Sequence, residues 1–565
     1  MSRDREPDDS RALRGDDARV GERYRARARV TQIELYDTTL RDGMQGEGMS
    51  LSAGEKLRVA HRLDELGIDL IEAGFPGSNP KEQELFGLLA GEGFGRAQIA
   101  AFGMTRRRGT PAEEDLALRG LADCFAPVCT LVGKTWGLHL EKVVKVDGDE
   151  NLRMIAESVA FLVAAGKRVV YDAEHFFDGF ADDPDYALRC LRAAIEAGAE
   201  TVVCCDTNGG TLPEGIASAM ATVVPAVQGT GARVGIHCHD DAGCGVACSL
   251  VAVGQGATHV QGTVNGYGER CGNANLISII PNLQLKLGLQ CLTEDQLASL
   301  TPTAHYVAEL LNFTPDPDSP YVGRNAFAHK GGMHVAGVTA DPATFEHIAP
   351  ELVGNRREML ISELSGKGTV VSRAADLGLE LDDATASQVV GRVKELEHRG
   401  YHYEAADGSF ELLLRKETGE YEPLFRLESW RAIVEKRADG RVETEATIKI
   451  WVGGERFVRT AEGNGPVNAL DRALRDALVE IHPHLRDIEL VNFKVRILDE
   501  AKGTGAVTRV LLDASDGEQV WGSIGVSENV IEASWEALVD SLERGMQPAP
   551  AHGAGLHRAN AAPSS

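Results

Sequence analysis

Eight apolar runs of strand length, most of them separated by amphipathic helical stretches, constrain this chain more than any other feature. They fall near Gln32–Asp37, Asp69–Gly74, Gln98–Phe102, Phe125–Leu131, Arg168–Ala173, Thr201–Asp206, Arg233–His239 and Thr258–Val264. Between them, stretches such as Ala53–Leu66 and Leu188–Ala197 carry apolar residues at helical spacing. Eight strand–helix units over about 270 residues have the count and size of a (β/α)8 barrel. In that architecture chemistry sits at the C-terminal ends of the strands. The polar residues gather at those ends: Arg41 and Asp42 after the first strand, Glu72 late in the second, Glu174 after the fifth, Asp206 and Thr207 at the sixth, His237 and His239 at the seventh.

The most informative of these stretches is Asp37-Thr38-Thr39-Leu40-Arg41-Asp42-Gly43, which sets an arginine beside a carboxylate where a strand gives way to glycine. Alone it reads equally as a solvated ion pair. His237-Cys238-His239 changes the balance, because residues two apart on a strand point the same way. Two imidazoles and the Asp42 carboxylate then form a two-histidine, one-carboxylate metal site with positions left open for substrate.

A chain of 565 residues exceeds the size at which one core keeps growing, so more than one domain is expected. Its formal charge of −27 argues against nucleic acid or an anionic membrane surface as a partner. The ten cysteines run from Cys124 to Cys291 without a CxxC pair, which supports neither a disulfide framework nor a zinc ribbon and fits a reduced cytoplasm. No apolar run reaches membrane length. The first 30 residues mix arginines with acids and lack an apolar centre, so they read as a disordered arm and not as a secretory signal. The Ala/Pro/Ser/Gly-rich end from about Gln547 reads as a disordered tail.

Four motifs in order, Asp37–Gly43, Glu72-Ala73-Gly74-Phe75-Pro76-Gly77-Ser78, His237-Cys238-His239-Asp240-Asp241 and Asn265–Asn275, resemble the signatures of the metal-dependent, acyl-CoA-condensing barrel enzymes. That family includes 2-isopropylmalate, homocitrate and citramalate synthases. The resemblance implies a divalent cation (Mn, Mg or Zn) on Asp42, His237 and His239, with Asn273 as a fourth ligand. It implies substrate binding by Arg41 and Thr207, and a role for Glu72 in orienting Arg41. It also implies that Glu174 and His334 form the carboxylate–imidazole pair that takes a proton from the methyl of acetyl-CoA, a weak acid that needs a positioned base.

Past the barrel, Thr301–Leu311 has helical pattern and Thr314–Pro320 breaks it with three prolines. The segment Tyr321–Val335 resembles the family's linker, which brings a histidine over a barrel mouth, often that of a neighbouring subunit; His334 holds the matching position and His329 reads as structural. Ser365-Gly366-Lys367-Gly368 also resembles a family motif. Further on, Glu445–Gly453 with Glu455–Thr460, then a helix Val467–Glu480, is echoed by Arg509–Ala514 with Gln519–Ile524, then a helix Glu528–Leu542. This order of hairpin, glycine and helix, seen twice, suggests an α+β domain of two ββα-like halves. It resembles the family's regulatory domain, which binds an end-product amino acid. The expected organisation is an arm (1–30), a barrel (31–300), a small helical linker (301–423), a regulatory and dimerisation domain (424–546) and a tail (547–565).

The wording at Phe75–Glu82, Asp172–Gly179 and Phe327–Gly337 resembles the bacterial citramalate synthase branch, which joins acetyl-CoA to pyruvate. The expectation is therefore a cytoplasmic acyltransferase, at least dimeric, with isoleucine as its amino-acid effector. A 2-isopropylmalate synthase acting on 2-oxoisovalerate is the alternative, since a difference of one or a few methylenes is worth only about 1–3 kcal/mol per methylene and can rest on one or two side chains.

Overall fold

The computed structural model describes residues 32–360, 367–377, 379–403, 406–498, 503, 505–517 and 519–547. The expected N-terminal arm, the tail beyond 547 and the Ser365-Gly366 pair lie outside the described residues. The described residues divide into two compact units, one running to residue 327 and including 346–357, the other holding residues 328–345 and those from 358 onward.

In the first unit eight parallel strands close on themselves in sequential order: β1 Glu34–Asp37, β2 Leu70–Gly74, β3 Gln98–Met104, β4 Val128–Lys134, β5 Arg168–Glu174, β6 Thr201–Asp206, β7 Arg233–Cys238 and β8 His259–Gly262. Closure is direct, with Leu35 of β1 in register with Val260 of β8. The eight strands fall where the apolar runs placed them. The helix Ala53–Leu66 shows why the local sequence folds as it does: Ser52 and Glu55 form a reciprocal capping box, and Gly67 ends the helix at φ 97°. Its buried face, Val59, Ala60, Leu63 and Leu66, joins the layer between helices and barrel.

Inside the barrel a smaller apolar cluster of Tyr36, Leu70, Ala100, Val128, Val170, Val203 and Cys205 fills the floor. Buried polar groups (Glu72, Thr130, Asp172, His259 and Gln261) share that interior. Strand parity explains the mixture, since residues 70 and 72, 170 and 172, 259 and 261 face the same way. The first unit continues past residue 300: the helix Leu300–Leu310 buries Leu300, Ala304 and Val307 in the barrel's helical layer. All ten cysteines are free thiols, and no helix among the described residues is long and apolar enough to cross a membrane.

The second unit begins with a two-stranded parallel pair, β9 Ala328–His329 and β10 Glu358–Met359, and the helix Gly332–Ala340. Three helices follow, at Lys367–Asp376, Asp383–His398 and Asp407–Thr418. Then come two three-stranded antiparallel sheets, β11 Arg426–Lys436 with β12 Val442–Val452 and β13 Glu455–Gly463, and β14 Glu489–Ile497 with β15 Thr508–Ser515 and β16 Val520–Ser527. Each sheet leads into a helix, Pro466–Leu478 and Val530–Gly545. Each half thus has one strand more than the sequence reading placed. β11 and β14 are exposed along much of their length; β11 mixes charged and apolar residues, whereas β14 alternates Val491, Phe493, Val495 and Ile497 with polar residues and leaves that apolar face exposed.

Candidate metal centre and active site

The loop after β1 and the end of β7 bring together the three groups that the sequence paired. Asp42 Oδ2 lies 3.3 Å from His237 Nε2 and 4.0 Å from His239 Nε2, and one donor atom from each residue falls within 4.8 Å of the others. All three side chains are buried. Main-chain bonds hold this arrangement: His239 N–H donates to the Asp206 carbonyl at 3.1 Å, and Ala274 N–H to the Cys238 carbonyl at 2.8 Å.

Asn273 closes the cluster. Its amide nitrogen donates to Asp42 Oδ2 at 2.9 Å and lies 3.3 Å from His237 Nε2. Its amide oxygen is buried without a hydrogen-bond partner, against Gly268, where a Cβ would fall 1.9 Å from it. Rotation of the amide by half a turn exchanges the two ends and carries the oxygen to the Asp42 side. The donor set of one carboxylate, two imidazole nitrogens and an unpaired amide oxygen fits a divalent cation of the first transition row or magnesium.

Arg41 sits beside this cluster. Its Nε donates to Glu72 Oε1 at 2.6 Å, and a terminal nitrogen is 3.2 Å from Asp42 Oδ1. Glu72 accepts a second hydrogen bond from the Tyr36 hydroxyl at 2.6 Å, so its carboxylate is fixed from both sides. The guanidinium lies 3.8 Å over the Phe102 ring. Burial opposes the charge on Arg41, yet Asp42 and Glu72 keep it more firmly protonated than usual. Burial likewise works against the Asp42 carboxylate, but Arg41 and the two imidazoles hold it well below the usual range. Burial, with His237 alongside, pushes His239 down to about 4 and leaves it neutral near pH 7. Burial also opposes the charge on His237, which the Asp42 carboxylate nevertheless raises.

Thr207, just after β6, accepts a hydrogen bond from the His175 backbone N–H at 2.9 Å, which leaves its own proton to donate. Glu174 ends β5 in an ion pair with Lys134, the last residue of the adjacent β4. His334 belongs to the second unit, exposed on the helix Gly332–Ala340 and stacked on Phe345 at 4.2 Å. Arg41, Asp42, Glu72, His237, His239 and Asn273 are therefore one contact network, while Glu174 and Thr207 occupy neighbouring strand ends.

Sequence reading missed Lys134, Phe102, Asp172 and Gln261 as site components. Parity carried a signal for one of them, since Asp172 lies two residues before Glu174 on the same face of its strand. Burial, with the Glu72 carboxylate nearby, pushes Asp172 up to about 7.

Comparison with known proteins agrees with this geometry. The HMGL-like family, whose members are metal-dependent, matches residues 32–307, the homocitrate synthase post-HMGL domain-like family residues 321–401, and the LeuA allosteric (dimerisation) domain residues 404–546. An (R)-citramalate synthase of Streptomyces coelicolor is 51% identical over 91% of this chain and 96% of its own length. One from Geobacter sulfurreducens is 46% identical over 91% and 97%. A probable 2-isopropylmalate synthase of Methanopyrus kandleri is 33% identical over 91% and 98%. On the strength of barrel, metal-site triad and near full-length identity together, the chain belongs to the family of (R)-citramalate synthases.

Proposed function

We propose that the chain condenses acetyl-CoA with pyruvate and hydrolyses the thioester, releasing (R)-citramalate and CoA at the entry to isoleucine synthesis. The observation that carries this reading is the single buried network joining the Arg41–Glu72 pair to Asp42, His237 and His239, in a chain 51% identical to an (R)-citramalate synthase.

Asp42, His237 and His239 hold the divalent cation, with the Asn273 oxygen as fourth protein donor. When bound, the cation polarises the keto carbonyl as a Lewis acid, and Mn, Mg and Zn all suit this donor set. Arg41 spends Nε on Glu72 and one terminal nitrogen on Asp42. Its remaining N–H groups face the keto oxygen that gains charge. Losing one such preorganised donor costs about 10²–10³ in rate in well-studied sites. The Thr207 hydroxyl donates to the substrate carboxylate. Glu174, positioned by Lys134, takes a proton from the acetyl methyl, and His334 of a neighbouring subunit assists. The methyl carbon then bonds to the keto carbon, the keto oxygen is protonated, and water cleaves the thioester with CoA as leaving group.

The C-terminal domain serves as dimerisation surface and as binding site for isoleucine. The family match at residues 404–546 supports this assignment. Ten free cysteines support a reducing, cytoplasmic setting.

The test is to follow CoA release from acetyl-CoA with pyruvate, 2-oxobutyrate and 2-oxoisovalerate. Pyruvate should give the largest kcat/KM. A larger value for 2-oxoisovalerate would move the chain to the 2-isopropylmalate branch.

A further inference from the structure

A line of buried polar side chains runs inside the barrel from the N-terminal end of β1 to the metal-site histidines. Glu34 Oε2 lies 2.8 Å from His259 Nδ1. His259 Nε2 lies 3.4 Å from Gln261 Nε2, which also donates to Asp172 Oδ1 at 3.0 Å. Gln261 Oε1 lies 2.8 Å from His237 Nδ1. His259, Asp172, Gln261 and His237 are all buried.

One polarity satisfies every link together, with Asp172 ionised and His259 carrying a single proton. Burial opposes the charge on Glu34, but His259 and Arg233 hold its carboxyl down at about 2, so it accepts only. His259 must then carry its proton on Nδ1, which leaves Nε2 as a lone pair. That lone pair and the Asp172 oxygen present two acceptors to one end of the Gln261 amide, and only an NH2 has two hydrogens to give them. The amide oxygen is thereby turned toward His237 and accepts from Nδ1–H. A neutral imidazole protonated on Nδ1 has its lone pair on Nε2, the atom that faces Asp42 and accepts from the Asn273 amide.

We propose that Gln261, oriented by Asp172 and His259, is a positioning residue that fixes His237 as the Nδ1-protonated tautomer and so presents Nε2 to the cation. The inference rests on the assignment of His237 as a metal ligand. It adds that this ligand is prepared before the cation arrives, by groups that never touch the cation or substrate. Without the relay, His237 is free to hold its proton on Nε2, and a proton there must be displaced for the metal to bind. Loss of such a supporting hydrogen bond lowers metal affinity about 10- to 100-fold in related sites.

The test measures Mn²⁺ binding to the full-length, chelator-stripped enzyme, reading free ion by electron paramagnetic resonance. His237→Ala first checks the ligand assignment; unchanged binding there would remove the premise and not the relay. Given that loss, Gln261→Met, close in size but unable to accept a hydrogen bond, should bind Mn²⁺ about 10- to 100-fold more weakly. In Asp172→Asn/Gln261→Glu the chemical groups are exchanged but the polarity toward residues 172 and 237 is kept: the amide introduced at position 172 donates, the carboxylate introduced at position 261 accepts from it and from His237, and His259 takes a second proton on Nε2 to face that carboxylate. This double variant should recover most of the lost affinity. Wild-type affinity in Gln261→Met, or no recovery in a folded double variant, overturns the proposal. Nitrogen NMR of the wild-type apoenzyme reads the tautomer without substitution at the relay, with His237→Ala identifying the resonance. A His237 without a proton on Nδ1 overturns it equally.

Discussion

Gly268→Ala is a steric probe of the metal centre from just outside it. An alanine Cβ at 268 would fall 1.9 Å from Asn273 Oδ1 and 3.2 Å from its backbone nitrogen, whereas real Cβ contacts stay at 3.0 Å or beyond. The amide must therefore retreat by about 1 Å or more, a distance sufficient to break hydrogen bonds whose useful range is narrow. Gly268 is not among the residues at positive φ, so the backbone itself accepts alanine. What is lost is the 2.9 Å bond to Asp42, the contact with His237, and the chance to turn an oxygen toward a cation. A hydrogen bond to a charged group contributes about 1.5–3 kcal/mol, equivalent to roughly a tenfold to hundredfold rise in the Kd for Mn²⁺. Titration calorimetry of the stripped enzyme measures it. Asn273→Ala should weaken binding to a similar degree, and Gly268→Ala/Asn273→Ala should be no worse than Asn273→Ala alone, because the clash has no partner left. Wild-type affinity in Gly268→Ala, or strict additivity in the double variant, would refute the reasoning.

Exhaustive chelation, or His239→Ala, should abolish turnover while the barrel's circular dichroism is retained; full activity after chelation would show that the cation is not catalytic. Cation affinity should also fall toward acid pH, because His237 must shed a proton to bind and Asp42 raises its affinity for that proton. Glu34 has a folded pKa of about 2 against 4.5 unperturbed. Stability from this group is thus present above 4.5 and lost as pH falls toward 2, and Glu34→Gln should cost roughly 3 kcal/mol at neutral pH and less than half of that near about pH 3. Urea denaturation followed by barrel tryptophan fluorescence reads the difference. If His334 serves a neighbour's barrel, mixed Glu174→Ala and His334→Ala chains, each inactive alone, should regain part of the activity on subunit exchange; proven exchange without recovery places both groups in one chain. Isoleucine should inhibit the intact enzyme and bind it with a calorimetric signal larger than that of leucine, and the absence of both effects would leave the C-terminal domain a dimerisation module.

The barrel was legible because its signal is local: each strand declares itself by a short apolar run, and each helix by its own periodicity and caps, as at Ser52–Gly67. The metal triad was legible for a related reason. Two histidines on one strand face and a carboxylate after another strand need only the rule that barrel strands end on one face. β11 escaped notice because its charged and apolar residues follow no regular period and its pairing with β12 makes it a strand, whereas β14 carries a legible alternation at Val491, Phe493, Val495 and Ile497 that the sequence reading passed over.

Residue types and order by themselves determined the fold class, the candidate metal-binding triad and the family. Only the tertiary structure decided which polar side chains inside the barrel meet, and in which sense each donates. Glu34 and His259 lie 225 positions apart in sequence, and His237 and Gln261 24 apart, and neither hydrogen bond is implied by spacing. Closure of β1 on β8 puts Glu34 beside His259, and the pairing of β7 with β8 puts Gln261, a glutamine of no evident motif, beside His237. Side-chain chemistry is written locally, but the direction of a hydrogen bond depends on what stands opposite, and chain closure supplies that.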